Sequence, residues 1–224
     1  MIFQDRTEAG QKLANALRRY ANRPDVIVLG LPRGGIPVAY EVAKELSVPL
    51  DVYVVRKLGV PKHEELAMGA IATGGVRYLN DRVVNSLRIS PDVIDQVAFK
   101  EQRELERREQ AYRGNRPAPE LRDRIVILVD DGLATGATMQ AAIAALHHQH
   151  PAKIIGAVPV AAPEVCEALA DKVDDMICAE TPQPFYAVGL WYKNFSQTTD
   201  DEVRQLLKQA ERRQQHMAGS AGDR

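Results

Sequence analysis

The apolar residues of the chain alternate between short unbroken runs and helical spacing. Residues 26–29, 51–55, 125–129, 153–160 and 173–178 read as strands, and IVILV at 125–129 is apolar throughout, as in a strand buried on both faces. Helical stretches lie between them. Residues 7–22, TEAGQKLANALRRYAN, put Leu13 and Leu17 on one helical face, and Arg23-Pro24-Asp25 ends that element. Residues 36–46, the run MQAAIAALHH from Met139, and residues 163–170 predict further helices. This repeated β/α alternation predicts an α/β fold, a doubly wound, mostly parallel sheet flanked by helices. Ligands of such sheets bind outside the carboxyl ends of the strands.

Other stretches break the alternation. Residues 56–65, RKLGVPKHEE, read as a charged, solvated loop, followed by a hairpin of 68–73 and 76–79 around Gly74-Gly75. A helix at 81–88 precedes Ser90, a plausible N-cap, and Pro91 at the first position of a long helix ending near Tyr112. Its segment FKEQRELERREQAY mixes both signs of charge, which predicts a solvated or dimer-facing helix rather than a nucleic-acid stripe. Residues 114–119 form a linker into the central strand. The stretch 181–199 is aromatic, with two of the four phenylalanines and the only tryptophan. A helix at 200–213 follows a Thr198/Thr199 cap, and 214–224 reads as a frayed, disordered tail.

Composition narrows the function classes. A chain of 224 residues can bury a sizeable core, and its net charge of −1 gives no bulk attraction to nucleic acid or membrane. No apolar run approaches membrane-spanning length, and MIFQDRTEAG lacks the features of a signal peptide, so the cytoplasm is the expected location. Cys166 and Cys178 show no metal or redox spacing and read as small buried thiols of a reducing compartment. His147, His148 and His150 end a helix, where a cation suits the dipole; HHQH lacks an obvious carboxylate partner for a metal.

The chemistry concentrates in residues 125–138, IVILVDDGLATGAT: a strand, the acid pair Asp130-Asp131, a small-residue loop, then a helix start. Backbone N–H groups of Ala134, Thr135, Gly136, Ala137 and Thr138 can turn inward around a phosphate, aided by the helix dipole and the threonine hydroxyls. Asp130 and Asp131 are placed to accept hydrogen bonds from vicinal hydroxyls, directly or around a hydrated Mg²⁺. A second strand–glycine loop–helix unit, Gly30-Leu31-Pro32-Arg33-Gly34-Gly35, repeats the anion-binding pattern and adds the Arg33 guanidinium.

Residues 125–138 closely resemble the phosphoribosyl-pyrophosphate (PRPP) signature of type I phosphoribosyltransferases, with Gly132 where the family usually has an aliphatic residue. The resemblance implies that Asp130 and Asp131 hold the ribose hydroxyls and any Mg²⁺, that 134–138 hold the 5′-phosphate, and that Arg33, Gly34 and Gly35 form the pyrophosphate loop. RKLGVP is similar to a stretch of adenine phosphoribosyltransferases, implying a mobile catalytic loop in which Lys57 contacts pyrophosphate and Glu64 or Glu65 faces the incoming base. It also implies a core over 1–180, with a flexible loop and hairpin at 56–80 and an inserted helix at 91–113. Residues 181–213 would then be a hood with a C-terminal helix, making Phe185, Tyr186, Trp191 and Tyr192 candidates to stack on a planar acceptor. Ala134 stands where hypoxanthine/guanine members carry an aspartate, which disfavours an oxopurine acceptor of the usual kind. Most of the chain is similar to a bacterial branch of predicted phosphoribosyltransferases whose acceptor is undefined. The implied activity is transfer of phosphoribosyl from PRPP to a small nitrogenous acceptor, with Mg²⁺, by a homodimer. A PRPP-sensing regulator and a hydrolase using the same site are the alternatives.

Overall fold

The computed structural model describes residues 2–221, apart from the side chains of Glu65 and 217–221. In chain order the first half contains α1 (Arg6–Ala16), β1 (Val26–Gly30), α2 (Gly35–Leu46), β2 (Leu50–Val52), β3 (Val55–Val60), β4 (His63–Ala72) and β5 (Val76–Leu79). Then come α3 (Asp81–Ser86), α4 (Pro91–Arg113), β6 (Ile125–Val129), α5 (Ala137–His147), β7 (Lys153–Val160), α6 (Pro163–Ala170), β8 (Asp175–Glu180) and α7 (Asp200–Ala221). The central sheet is parallel, in the order β2-β1-β6-β7-β8.

Alternation across this sheet divides the core in two. Val26, Val28, Ile125, Ile127 and Val129 pack with Leu13, Val38 and Val203 of α1, α2 and α7. Ile27, Leu29, Val126 and Leu128 pack on the other side with Met139, Ile143 and Leu146 of α5. The chain leaves β1 toward β2 at one edge and β6 toward β7 at the other. The crevice between β1 and β6 is therefore the switch point of the sheet, where Gly30 lies beside Val129.

The charged stretch 56–65 is not a loop. It forms β3 and the start of β4, turning at Lys62 (φ 68°), and β3-β4-β5 make a separate antiparallel sheet. Leu58 and Val60 are buried on one face while Lys57 is exposed, so a period of two hides behind the charges. Nor is α4 solvated all round. Ile94, Ala98, Leu105 and Tyr112 form a buried stripe within the main core, while Phe99 on another face is 68% exposed. At its end, buried Arg113 donates from Nε to Asp51 Oδ1 (3.2 Å) and from Nη2 to the Val52 carbonyl (2.8 Å). Burial raises the Asp51 carboxyl and Arg113 opposes it.

Several boundaries differ from the sequence reading. α1 stops at Ala16, a 3₁₀ turn covers Arg18–Tyr20, and α7 continues to Ala221 rather than fraying at 214. Residues 222–224 of the expected tail lie outside the described part. A small third core joins residues 185–192 to the body of the fold: Tyr192 meets Phe3, Ala9 of α1 and Val160 of β7, with Phe185, Val188 and Trp191 packed around them. Phe3 N–H donates to the Trp191 carbonyl (2.8 Å) and Lys193 N–H to the Phe3 carbonyl (2.9 Å). Phe3 is thus pinned to residues 191–193.

Cys166 of α6 and Cys178 of β8 form a disulfide, with Cα atoms 6.5 Å apart, correcting the expectation of two free thiols. The strand of β8 brings together two cysteines that sequence spacing leaves unrelated. The bond closes a short loop, separation 12. Reduction is therefore expected to lower stability by about 3 kcal/mol on loop entropy alone. Denaturant midpoints with and without a thiol reductant check this; coincident curves refute it.

Candidate functional site

The site is built where β1 and β6 end side by side. Leu31 N–H donates to the Val129 carbonyl (2.9 Å), which locks the loop after β1 against the acid pair after β6. A Cβ on Gly35 would lie 2.8 Å from the Val129 carbonyl oxygen and 2.9 Å from Asp130 Cα. One on Gly34 would overlap Asp131 Oδ2. These two glycines are what let the loops approach. Pro32–Arg33 is a cis peptide bond. Arg33 Nη1 stands 3.8 Å from Asp200 Oδ1 at the start of α7, and Tyr112 donates its hydroxyl to the same oxygen (2.9 Å).

Both acids sit in a poorly hydrated place. Burial pushes the Asp130 carboxyl well above the ordinary range, and the neighbouring Asp131 adds to it. Burial also raises Asp131, against the pull of Arg6. Asp130 Oδ1 accepts the Asp131 N–H (2.9 Å). Arg6 forks onto Asp131 Oδ2, 2.9 Å from Nε and 2.8 Å from Nη2. Tyr192 donates its hydroxyl to the Asp131 carbonyl (2.6 Å).

The loop 134–136 leads into α5 through Gly136, which is left-handed (φ 67°) and packed under Val165 and Leu169 of α6. Ala134, Thr135 and Thr138 are exposed, Ala137 partly so, around a cleft of about 190 Å³ that also touches Asp130 and the hood residue Val188. Backbone N–H groups at a helix start beside this cleft are chemically suited to an anion. Gly132 also finds a reason here: a Cβ would meet Val188 Cγ1 at 2.5 Å. The hood supplies from outside the aliphatic group that the chain omits.

The structure does not bring every candidate to this place. Lys57 is exposed and borders a separate cleft of about 210 Å³ with Ala137 and Gln140 of α5, so it flanks the start of α5. Glu64 is exposed and lines another cleft with Lys57, Lys100 and Glu101, away from the acid pair. The Glu65 side chain lies outside the described ones. Tyr192 is no free stacking face; it is 5% exposed, wedged between Phe3 and Phe195. Phe185 and Trp191 lie nearly parallel at 6.3 Å, and Tyr186 is 77% exposed. The Trp191 indole N–H is buried without an acceptor among the described residues. His147 contacts the Lys172 carbonyl and His148 packs on Tyr78, and no metal-binding group of three or more such side chains occurs among the described residues.

Sequence reading missed Arg6, Val188 and Asp200. Each acts on a residue far away along the chain, so no local spacing signals it; only the unusual Gly132 hinted that something else fills that space.

Comparison with known proteins agrees with this geometry. The model of the phosphoribosyl transferase domain family matches residues 3–189. A Mycobacterium tuberculosis protein provisionally named a phosphoribosyl transferase is 47% identical over 211 residues, which is 94% of this chain and 47% of the relative. The chain thus spans about half the length of the curated relatives it matches. The crystal structure of TT1426 from Thermus thermophilus superposes with a TM-score of 0.84 at 40% identity, covering 93% of this chain and 99% of the other.

Proposed function

The chain belongs to the phosphoribosyl transferase domain family, and on that premise we propose that it transfers 5-phosphoribosyl from PRPP to a small nitrogenous acceptor, releasing pyrophosphate. The observation that supports this reading is the meeting, where Gly30 pairs with Val129, of the glycine loop after β1 and the loop after β6, with the acid pair beside them. In the reaction a bond forms between the acceptor nitrogen and the anomeric carbon. The bond from that carbon to pyrophosphate breaks, its electron pair leaves with pyrophosphate, and one proton is released.

Each residue has a task in that step. Ala134 to Thr138 hold the 5′-phosphate with backbone N–H groups and hydroxyls. Gly34 and Gly35 admit the pyrophosphate close to the backbone, and Arg33 exchanges Asp200 for phosphate oxygens. Asp130 and Asp131 orient the ribose hydroxyls and favour positive charge growing on the anomeric carbon. Two adjacent carboxylates suit a hard cation that keeps most of its waters and leans on substrate phosphates, as Mg²⁺ does. When bound there, Mg²⁺ supplies charge neutralisation on the departing pyrophosphate. Phe185 and Trp191 offer a planar aromatic wall for the acceptor.

Lys57 reaches the phosphate loop from the β3-β4-β5 sheet, whose closure would exclude water. A homodimer belongs to the same reading, as does a cytoplasmic location; there the Cys166–Cys178 bond would meet a reducing medium. Among the described residues no helix is long and apolar enough to cross a membrane.

A pyrophosphate-release assay with PRPP and Mg²⁺ against purines, pyrimidines and small amines tests the proposal. Release that depends on one compound is expected and names the acceptor. Release without any acceptor would make the protein a hydrolase. Silence across the panel, with PRPP still raising the melting temperature, would make it a sensor.

A further inference from the structure

Arg6 opens α1, far in sequence from every loop of the site, yet its guanidinium joins the acid pair to the hood. Nε and Nη2 grip Asp131 Oδ2 at 2.9 and 2.8 Å. Nη1 donates to the Ser196 carbonyl at 2.7 Å. The group lies 4.0 Å from the centroid of the Phe195 ring and 6.0 Å from that of Tyr192, the residue whose hydroxyl holds the Asp131 carbonyl. The Arg6 and Asp131 side chains are 12% and 15% exposed.

We propose that Arg6 is a positioning residue: it fixes the Asp131 carboxylate for the ribose hydroxyls of PRPP and ties the strap at Phe195 and Ser196 to that carboxylate. The inference rests on the phosphoribosyl-transfer reading and deepens it. A buried ion pair adds little net stability, because desolvation offsets attraction; what it fixes is geometry. With both nitrogens on Oδ2, the rotamer of Asp131 is set and Oδ1 is left for another donor. A planar fork stacked on an aromatic ring is a task for arginine that lysine performs only in part. The same guanidinium carries the strap, so the hood and the ribose acid are held in one register.

PRPP affinity of the full chain, measured calorimetrically with Mg²⁺, separates the outcomes. Arg6→Ala is expected to weaken binding by about 10–100-fold, the usual loss when a partner that orients a ligating group from behind is removed. Arg6→Lys restores a cation to Asp131 but not the fork or the stacking, so it is expected to recover only a minor part of the lost affinity at a melting temperature near that of the native protein. Native affinity in Arg6→Ala overturns the inference. So does an Arg6→Lys protein that binds PRPP as tightly as the native protein, for then a positive charge beside Asp131 suffices and the fork fixes nothing. A native protein that fails to bind PRPP at all overturns the phosphoribosyl reading itself, before any variant is compared.

Discussion

Replacing Asp130 with asparagine is expected to lower PRPP-dependent turnover by at least about 100-fold while leaving the protein as stable as before, or more so. The two effects come from one cause. Burial and the adjacent Asp131 both disfavour charge on Asp130, so the native protein carries a carboxyl poorly suited to its surroundings. Asparagine keeps an oxygen to accept the Asp131 N–H and removes the charge conflict. What it loses is the negative charge needed beside a ribose turning cationic. The companion Asp131→Asn differs in sign for stability, because Arg6 would face an amide in a half-dry site. The double variant should therefore lose all turnover and some stability. Rate constants and thermal melts of the three proteins decide the matter: undiminished turnover in the double variant would remove both acids from the site.

Gly35→Ala is the second large effect. Its Cβ would press on the β6 backbone, at the Val129 carbonyl and Asp130 Cα, which has no flexible end to move aside. The expected loss is about 1–3 kcal/mol, the range for overpacking a close contact. PRPP affinity should fall with it, because the loop after β1 and the acid pair are pushed apart together. Denaturant unfolding and calorimetry on the same sample check both. Native values for the pair would show that the two loops are not held as tightly as the 2.8 Å approach implies.

How far the sequence could be read depended on whether a feature was local. The core strand at 125–129, its acids and the glycine loop after it form one continuous segment, and Val126 to Val129 are fully buried as their unbroken apolar run predicts. The second loop was legible for the same reason. In β3 the signal was masked: Arg56, Lys57 and Lys62 outweighed the alternating Leu58 and Val60, and only pairing with β4 reveals the strand. The charged surface of α4 likewise hid a stripe at Ile94, Ala98 and Leu105. Tyr192 is a stacking candidate by sequence because it sits in an aromatic stretch; its burial depends on Phe3, far away along the chain. Cys166 with Cys178, Arg6 with Asp131, and Arg33 with Asp200 are tertiary pairings that only the fold brings together.

The bridge between Phe3 and the Trp191–Tyr192 segment bears on how the protein reaches this state. The central sheet can pair as soon as β8 exists, but the site is closed by contacts between residues 3–6 and residues 191–196, and between Arg33 and Asp200. Such pairings span almost the whole chain and carry a large loop-closure entropy, so they form late. During synthesis, a chain that ends before residue 191 has every strand of the sheet but neither this seam nor α7, so its site is open. Trp191, the only tryptophan, sits at that last seam. Its fluorescence in a refolding experiment should therefore recover in the same slow phase as PRPP binding, after the far-ultraviolet signal of the sheet and helices has returned.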